Sequence, residues 1–558
     1  MLAAGHCALT ANQAADANYT AAPEATLDVT IATAAQTITG FVSNPEHPVF
    51  APNGTFSVSA TPGASTSPVV FASTSPTVCA VSGSTVTMLA AGNCALTANQ
   101  AADANYTAAP EATLTVAIGA ATPVISWGGA IHKTEGEAAF DLPEPTSTSP
   151  GAFAYASSDA SVATVSGRTV TIVGSGVATL TATQAATANY TAGTATLELT
   201  VDARPDPTAD PSVVEGLQAQ VDASLRFAQA QQGNVLDRLR QLRHAQGTPS
   251  SQNLRFNANS LNGGVSLPLG ATSGSRQRDF GVWTAGSIVL SERDGRQGRS
   301  GFDLRSDGVT LGADRAFGDF VFGGALGAGW SDTDFADDRS GQNATQKAFT
   351  AYGLWRGDDH WYVDGLLGWG RLDFDLSRWS TTANALATAR RRGDQLFGAL
   401  SLGYTQQGER MDLTGYGRLE ASRTTLDAYQ ESGLGIYDLA YREQSIDDSA
   451  LALGLEGRWR MRAIQPYWSL EYRDALRNGT DAAINYVIAP ASDDYLLGLR
   501  SIANRMWTLG AGFDMQLASG WQMSFQYRRE QASGVTGNSV GLRFTLGSMQ
   551  PFGAASAR

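Results

Sequence analysis

The cysteines are the residues of this chain with the clearest potential for covalent chemistry. Cys79 and Cys94 lie in one segment, and a diverged copy of that segment has Ala163 and Ala178 at the same two positions. Because both cysteines change together, we predict a disulfide between neighbouring strands; two small buried thiols are the alternative. A disulfide would require an oxidising compartment, the periplasm or beyond.

A serine motif near the C-terminus is the main candidate for catalysis. Residues 537–541 match the G-x-S-x-G pattern, which needs a sharp strand-to-helix turn, a histidine base and an acid. Ser539 lies instead in a strand-like segment with no helix after it. The five histidines are far apart and share no metal-ligand spacing. We therefore predict no enzyme activity, no catalytic or metal site and no cofactor.

Composition divides the chain into two parts. Up to Pro205 there are 13 acidic and 3 basic residues, whereas the remainder has 39 acidic and 35 basic residues and ten of the eleven tryptophans. The acidic first part argues against nucleic acid as a partner, because phosphate binding needs clustered Lys and Arg. No run of about 18 apolar residues is present, and the first residues do not read as a signal peptide.

The first part consists of repeats. Residues 1–30 match residues 88–117 at 27 of 30 positions, and a third copy places Asn189-Tyr190-Thr191 in register with Asn105-Tyr106-Thr107. The copies are 87 and 84 residues apart, the length of an Ig-sized module.

The start of the chain falls within a repeat. Met1 aligns with Met88, so we expect a signal peptide and further repeats upstream. Cys7 aligns with Cys94, and its partner would fall eight residues before Met1. We therefore expect a truncated start to be the reason for the odd number of cysteines.

Within each copy, short β-branched runs alternate with turn residues, which predicts an all-β sandwich. Residues 161–167 read Ser-Val-Ala-Thr-Val-Ser-Gly and resemble a strand-and-turn segment of bacterial Ig-like surface repeats. The resemblance covers roughly residues 36–202 and implies Ig-like modules.

A connector with a different periodicity follows the repeats. Between residues 211 and 246, apolar residues recur at three- and four-residue steps, which predicts a helix at 212–246. Gly216 and Gly233 weaken this helix and leave open a break into two. Residues 247–278 are rich in Ser, Gly and Asn, which predicts a flexible linker.

Beyond Asp279 the sequence alternates apolar and polar residues in segments of about ten, the length of a tilted strand that crosses a bilayer. In the last segment Val540, Leu542, Phe544 and Leu546 share one face, and we predict that this strand closes a barrel. A soluble sandwich would show the same alternation, so other features must decide between the two.

Strand number and connection length favour the membrane barrel. We identify twelve strands, the eighth at 437–459, joined by alternating short and long connections, the longest at 478–503. An even strand number with short turns at one end and long loops at the other is typical of outer-membrane barrels. Five tryptophans flank the short turns, as expected of an interfacial girdle: Trp355, Trp361, Trp459, Trp468 and Trp521.

This half of the chain resembles the translocator barrel of autotransporters (type V secretion). The matching segments are 281–283, 426–433 and 541–544, and residues 227–243 resemble the helical linker that precedes such barrels. The resemblance implies contact with outer-membrane lipids, insertion by the β-barrel assembly machinery, and linker residues from 247–278 within the pore. The family usually ends in an aromatic residue, whereas an eleven-residue tail follows the last strand here.

The predicted fold is all-β, with Ig-like β-sandwich repeats, a helical linker and a C-terminal 12-stranded antiparallel transmembrane β-barrel. The predicted boundaries are a truncated repeat at 1–35, modules at 36–119 and 120–203, a linker at 204–278, a barrel at 279–547 and a tail at 548–558.

The predicted function is that of a monomeric autotransporter whose barrel anchors the repeats at the cell surface, as an adhesin for host or neighbouring-cell ligands or as a stalk. Two alternatives remain open: an enzymatic passenger upstream of Met1, and a pore protein with periplasmic repeats. Two Arg-Gly-Asp tripeptides, at 356–358 and 392–394, match an integrin-recognition sequence. We expect both to have arisen by chance in a barrel rich in glycine and charge.

Overall fold

The computed structural model describes residues 2–243, 251–258, 280–293, 302–335, 337, 339–357, 360–461, 463–477, 479–489, 493–500, 505–517, 521–532 and 535–546. The chain divides into two compact units, Met1–Ala203 and Arg204–Arg558. The first unit is built from β-strands, and the second contains one long helix together with the remaining strands.

The first unit contains a hairpin and two modules. The N-terminal hairpin is β1 (Gly5–Ala11) and β2 (Ala25–Ile31). The first module contains β3 (Thr39–Asn44), β4 (Thr55–Thr61), β5 (Val69–Ser73), β6 (Cys79–Ser82), β7 (Thr85–Met88), β8 (Gly92–Gln100) and β9 (Ala112–Ile118). The second module contains β10 (Ile125–Ser126), β11 (Ile131–Thr134), β12 (Phe140–Asp141), β13 (Thr146–Ser147), β14 (Phe153–Ser157), β15 (Ala163–Ser166), β16 (Thr169–Ile172), β17 (Gly176–Gln184) and β18 (Gly193–Asp202). The predicted module boundaries at 36–119 and 120–203 remain predictions.

The first module is a β-sandwich. Its two sheets have the strand orders β3-β4-β7-β6 and β5-β8-β9. In β4, Phe56 and Val58 are buried and the residues between and beside them are exposed, as a strand with one covered face requires. Leu96 and Val116 of the other sheet join the same core. The sandwich predicted from the alternation is therefore present, and its likeness to Ig-like repeats remains a prediction.

A disulfide crosses this core. Cys79 of β6 and Cys94 of β8 are bonded, with their Cα atoms 5.7 Å apart, and both are fully buried. Because β6 and β8 belong to different sheets, the bond joins the two sheets and does not lie between neighbouring strands as predicted. In the second module Ala163 and Ala178 are fully buried, so two methyl groups fill the place of the disulfide.

The second module repeats the arrangement with a four-stranded sheet, β11-β18-β17-β14, and a three-stranded sheet, β12-β16-β15. Leu142, Leu180 and Leu199 lie in its core. The short strands β10 and β13 pair with each other beside these sheets.

One continuous helix, α1 (Pro211–Arg243), opens the second unit. The backbone N–H and the hydroxyl of Ser212 both donate to the Asp210 carboxylate, at 2.9 and 2.8 Å. Gly216 and Gly233 do not interrupt α1, so the predicted helix is present and the break that the two glycines left open does not occur. Each glycine costs only about 1 kcal/mol, and packing along the whole helix outweighs that cost. Residues 244–246 of the predicted helix lie outside the described residues. Across the part of the chain that the structure describes, no helix is both long and apolar enough to cross a membrane.

Twelve antiparallel strands surround α1, which confirms the predicted barrel. They are β20 (Phe280–Arg293), β21 (Phe302–Phe317), β22 (Phe320–Phe335), β23 (Gly341–Arg356), β24 (Trp361–Ser380), β25 (Ala385–Gln407), β26 (Met411–Leu426), β29 (Gln444–Trp459), β30 (Ile464–Arg477), β33 (Arg505–Gln516), β34 (Trp521–Ala532) and β35 (Val535–Leu546).

A shorter strand from the linker completes the closure. β19 (Ser251–Ala258) lies between β20 and β35, parallel to the former and antiparallel to the latter. The predicted closing strand β35 therefore pairs with β34 and β19. The flexible linker predicted at 247–278 is wrong for these eight residues, since they belong to the barrel wall. Residues 259–278 lie outside the described residues, as does the tail 548–558.

The long connections form a second small sheet, which we call the mouth sheet. Its strands are β27 (Tyr429–Gln430), β28 (Leu439–Tyr441), β31 (Gly479–Tyr486) and β32 (Tyr495–Arg500), in that order. The single strand predicted at 437–459 is wrong, because Leu439–Tyr441 pairs with β31 and only Gln444–Trp459 lies in the barrel. The connection predicted at 478–503 contains two strands of the mouth sheet.

Candidate transport pore and membrane surface

The outer surface of the barrel is apolar over a limited height. Along β24 the outward side chains include Trp361, Leu367 and Trp369, each about half exposed or more. Residues 361–369 make nine positions of strand, close to the nine to eleven that a tilted strand needs to cross the hydrocarbon layer. The exposed apolar side chains therefore form a band of the height that lipid requires.

The apolar band ends at a set of ion pairs on the side of the barrel where the long connections lie. On the outer face, Asp373 pairs with Arg392 at 3.2 Å and Asp375 pairs with Arg390 at 2.8 Å, with the members of each pair directly opposite in register. Charged side chains of this kind belong in water or among lipid headgroups. The second Arg-Gly-Asp tripeptide, 392–394, is part of this strand-to-strand ladder.

The five predicted girdle tryptophans lie near the other end of the band, beside the short turns. Trp355, Trp361 and Trp459 are between 38% and 47% exposed, and Trp468 and Trp521 are half-buried. Their position suits the membrane interface, where an amphipathic ring is favoured. The girdle role of these residues remains a prediction.

The last strand contributes to both surfaces. Val540 is exposed on the outer face, and Leu542 and Phe544 are half-buried; the Leu546 side chain lies outside the described residues.

Ser539 is buried in the continuous strand β35, which lacks the strand-to-helix elbow that a nucleophilic serine needs. Within the described residues no group of His, Cys, Asp or Glu could hold a metal ion.

The lumen of the barrel contains α1, whose polar side chains find partners on the wall. Asn234 donates from Nδ2 to Thr310 Oγ1 at 2.9 Å, and Thr310 donates to Gln231 Oε1 at 2.8 Å. Gln231 in turn donates to Thr350 Oγ1 at 3.3 Å. Buried polar groups are costly unless hydrogen-bonded, so these bonds fix both the height and the rotation of the helix.

Two arginines anchor the C-terminal half of α1. Arg238 Nε and Nη2 donate to the two carboxylate oxygens of Asp314 at 2.7 and 2.8 Å. Arg243 Nε donates to Asp364 Oδ2 at 2.6 Å, and its guanidinium lies 4.1 Å from the centre of the Tyr362 ring. Positive charge in the last turns also complements the negative end of the helix dipole.

Glycines on the wall make room for the helix. A Cβ added at Gly329 would lie 2.9 Å from the Phe227 ring, and one at Gly327 would collide with Gln231. Larger residues at these two positions of β22 would push α1 away from the wall. The close approach of helix and strand therefore depends on the missing side chains.

The N-terminal half of α1 packs against the mouth sheet. Val213, Leu217 and Val221 share a hydrophobic core with Leu439 and Ile484. This core covers the lumen at the end where the long connections lie, so the mouth sheet and the helix close that end together.

A bidentate ion pair ties the mouth sheet to the barrel wall. Arg378 of β24 donates to Glu431 at 2.8 and 2.6 Å. Arg378 also lies 3.6 Å from Asp210, immediately before α1. One arginine thereby links the wall, the mouth sheet and the start of the helix.

The sequence did not indicate any of these lumen contacts. The only local signal was a carboxylate at an inward position of a membrane strand, as at Asp314 and Asp364. Such residues are expensive near a bilayer and need a partner. The sequence prediction treated the helix as a linker that holds the passenger and placed residues from 247–278 in the pore. Among the described residues it is α1 that occupies the lumen.

A family model and several solved structures are similar to this part of the chain, and the family model agrees with the barrel architecture. Residues 282–528 match the family model described as autotransporter beta-domain, and no curated protein matches the chain. Similar solved structures include the translocator domain of the autotransporter NalP from Neisseria meningitidis, with 15% identity, 60% of this chain and 98% of that chain covered, and a TM-score of 0.41. The β domain of the Bordetella autotransporter BrkA has 19% identity, coverages of 48% and 100% and a TM-score of 0.35. The transport unit of AIDA-I from Escherichia coli has 12% identity, coverages of 50% and 93% and a TM-score of 0.36.

Residues 282–528 are identified by this match as an autotransporter β-domain. It is an outer-membrane β-barrel of the translocator type, and its function is transport across that membrane. The barrel itself is a transport device and not a catalyst.

Proposed function

We propose that the barrel exports the two β-sandwich modules and anchors them at the cell surface, where they serve as a stalk or an adhesive surface. The observation that carries this proposal is the direction of α1. Its C-terminal arginines contact strand ends beside the short turns, and its N-terminal half contacts the mouth sheet. In outer-membrane barrels the short turns face the periplasm and the long connections face the exterior.

The chain just before α1 supports the same direction. The Arg204 guanidinium lies 4.4 Å from the centre of the Tyr486 ring in the mouth sheet. The Tyr486 hydroxyl donates to the carbonyl of Pro205 at 2.6 Å. Burial raises the pKa of Tyr486 to about 12, so this hydroxyl keeps its proton and remains a donor. Residues that precede Arg204 would therefore leave the barrel on the outer side.

Protease digestion of intact cells tests the proposal. The gene would be expressed in an outer-membrane host with its export signal, and proteinase K would be added outside. One antibody would detect residues 105–114 and another residues 521–532. Trypsin is unsuitable, because only three basic residues lie before Pro205. We expect loss of the repeat signal with retention of the barrel signal, and loss of a periplasmic marker only after permeabilisation.

Two other outcomes would favour the alternative functions. Repeats that resist protease until the cells are permeabilised would contradict surface display and favour a pore protein with periplasmic repeats. Repeats that are exposed but never support binding to cells or matrix would exclude the adhesive role and leave that of a stalk, including one for an enzyme located further upstream.

A further inference from the structure

Asn-Tyr-Thr occurs in all three copies of the repeat, at 18–20, 105–107 and 189–191. We propose that this triplet is a joint: it locks its own module onto the end of the preceding repeat and onto the segment that connects the two. The partner surface is thus another repeat of the same kind, and the joint makes the modules a stiff array.

The joint between the first and second modules depends on Asn189. The Ala91 N–H, in a turn of the first module, donates to Asn189 Oδ1 at 2.9 Å. The Ala121 N–H, in the connecting segment, donates to the Asn189 carbonyl at 2.9 Å, and the Thr191 N–H donates to the Ala121 carbonyl at 2.9 Å. One asparagine therefore holds the preceding module through its side chain and the connecting segment through its backbone.

Tyr190 adds an apolar contact to this joint. Its ring is only 8% exposed and belongs to the hydrophobic core of the first module, although the residue is part of the second. The Phe50 ring meets it edge-on, with the ring centres 5.8 Å apart. An aromatic side chain buried in a neighbouring module opposes bending, because bending would expose it to water.

The same contacts recur one repeat earlier. The Ala4 N–H donates to Asn105 Oδ1 at 2.9 Å, the Ala34 N–H donates to the Asn105 carbonyl at 2.9 Å, and the Thr107 N–H donates to the Ala34 carbonyl at 2.9 Å. Ala4 and Ala34 stand 87 residues before Ala91 and Ala121. Because two triplets make the same set of bonds, the geometry belongs to the motif and not to one chance contact.

The triplet at 18–20 provides a matched control. It has the same three residues, yet the Tyr19 ring is 77% exposed. A substitution at Asn18 or Tyr19 therefore changes the same side chain without disturbing either joint described above.

The test uses the full chain in detergent, with nitroxide labels introduced by non-natural amino acids at Ser82 and Ser166, which are exposed in equivalent strands. Pulsed electron spin resonance would measure the distance distribution between the labels. We expect a narrow distribution for the parent and for Tyr19→Ala, and one at least about twofold broader for Tyr190→Ala. A Tyr190→Ala distribution as narrow as that of Tyr19→Ala would overturn the proposal.

Hydrogen exchange separates loss of the joint from loss of folding. In Asn189→Ala, the Ala91 amide should exchange about fivefold faster, the effect of losing one ordinary hydrogen bond, while β17 and β18 keep their protection. Asn18→Ala should leave the Ala91 amide unchanged. Unchanged Ala91 exchange in Asn189→Ala would also overturn the proposal, and this variant decides the question if Tyr190→Ala unfolds the second module.

Discussion

Arg238 of α1 and Asp314 of β21 form a two-point ion pair inside the barrel, with side chains that are 1% and 0% exposed. Tyr352 donates a third hydrogen bond to the same carboxylate at 2.8 Å, and Trp283 Nε1 donates to Tyr352 at 2.5 Å. The Asp314 carboxylate, which the wall residue Tyr352 holds in place, therefore neutralises the positive charge of Arg238 in the lumen. Substitutions in this pair test how firmly the helix is anchored.

Replacement of Arg238 by Met should destabilise the folded barrel by about 3–5 kcal/mol, because it leaves the Asp314 carboxylate buried without its partner. Urea unfolding of the barrel in lipid vesicles, followed by tryptophan fluorescence, would measure the loss. Arg305→Met is the matched control, since Arg305 is 61% exposed beside Asp307 and should change stability by about 1 kcal/mol or less. The double variant Arg238→Met, Asp314→Leu should recover much of the loss; equal losses in the two single variants would show that the buried pair has no special role.

Leu400→Arg should reduce the unfolding free energy by about 2–4 kcal/mol, because Leu400 is exposed on the outer surface and pairs with Gly365, at the middle of the outward apolar band. The same substitution at Trp361, beside a short turn, should cost about 0–1 kcal/mol, since an arginine there can reach the headgroups. Reversible unfolding in vesicles of defined lipid gives both values. If the two variants were equally stable, the band would not be the surface that meets the hydrocarbon layer.

Replacement of both Cys79 and Cys94 by Ala should lower the stability of the first module by about 3 kcal/mol. The expected cost follows from the 15-residue separation of the two cysteines, because the bond restricts a loop of that size in the unfolded chain. Hydrogen exchange resolved by module would measure it, with the second module as an internal control, since Ala163 and Ala178 already occupy these positions. Equal protection of the first module before and after the double replacement would contradict the prediction.

Acid should loosen the joint formed by Asn105 before the joint formed by Asn189. The backbone N–H groups of Thr66 and Asn105 hold the pKa of Asp103 below its ordinary value of 3.8. A lowered folded-state pKa means that this carboxylate stabilises the loop fully above the unfolded value and loses its effect as the pH falls through the folded value. Thr187 occupies the equivalent position in the second module and does not titrate.

Exchange measured from about pH 5 to about pH 3, corrected for intrinsic rates, should show falling protection at the Ala34 amide, which donates to the Asn105 carbonyl. Protection at the Ala121 amide should stay constant over the same range. Asp103→Asn should remove the difference in pH response. A parallel decline at both amides would mean that a general acid effect, and not Asp103, is responsible.

Local periodicity predicted the strands of the barrel and of the sandwiches, and strand number and connection length then favoured the membrane barrel. A strand places alternate residues on opposite faces wherever it is found, so Val540 and Leu542 could be assigned to one face without knowledge of neighbouring strands. The pairing of Cys79 with Cys94 could also be predicted, because comparison of the two repeats shows that both cysteines are replaced together. The sequence could not show whether the disulfide joins neighbouring strands of one sheet or strands of two facing sheets, since both arrangements bring cysteines within bonding distance.

Contacts between distant parts of the chain were decided only by the tertiary structure. Gly216 and Gly233 weaken the helix locally, but packing against the barrel wall and the mouth sheet keeps α1 continuous. Leu439–Tyr441 has the alternation of the barrel strand that follows it, yet it pairs with β31. Arg238 and Asp314 are 76 residues apart in sequence, and nothing near either residue identifies the other.

The sequence by itself therefore determined which faces of the strands are apolar and at what spacing the repeats recur, because these properties can be read from the residues without knowledge of their partners. It also identified the twelve antiparallel strands of the barrel, but not β19. The tertiary structure alone decided that α1 fills the lumen, that Arg238 meets Asp314 and that Asn189 holds Ala91. Those pairings depend on barrel closure and on register, which arise only when all the strands are assembled together.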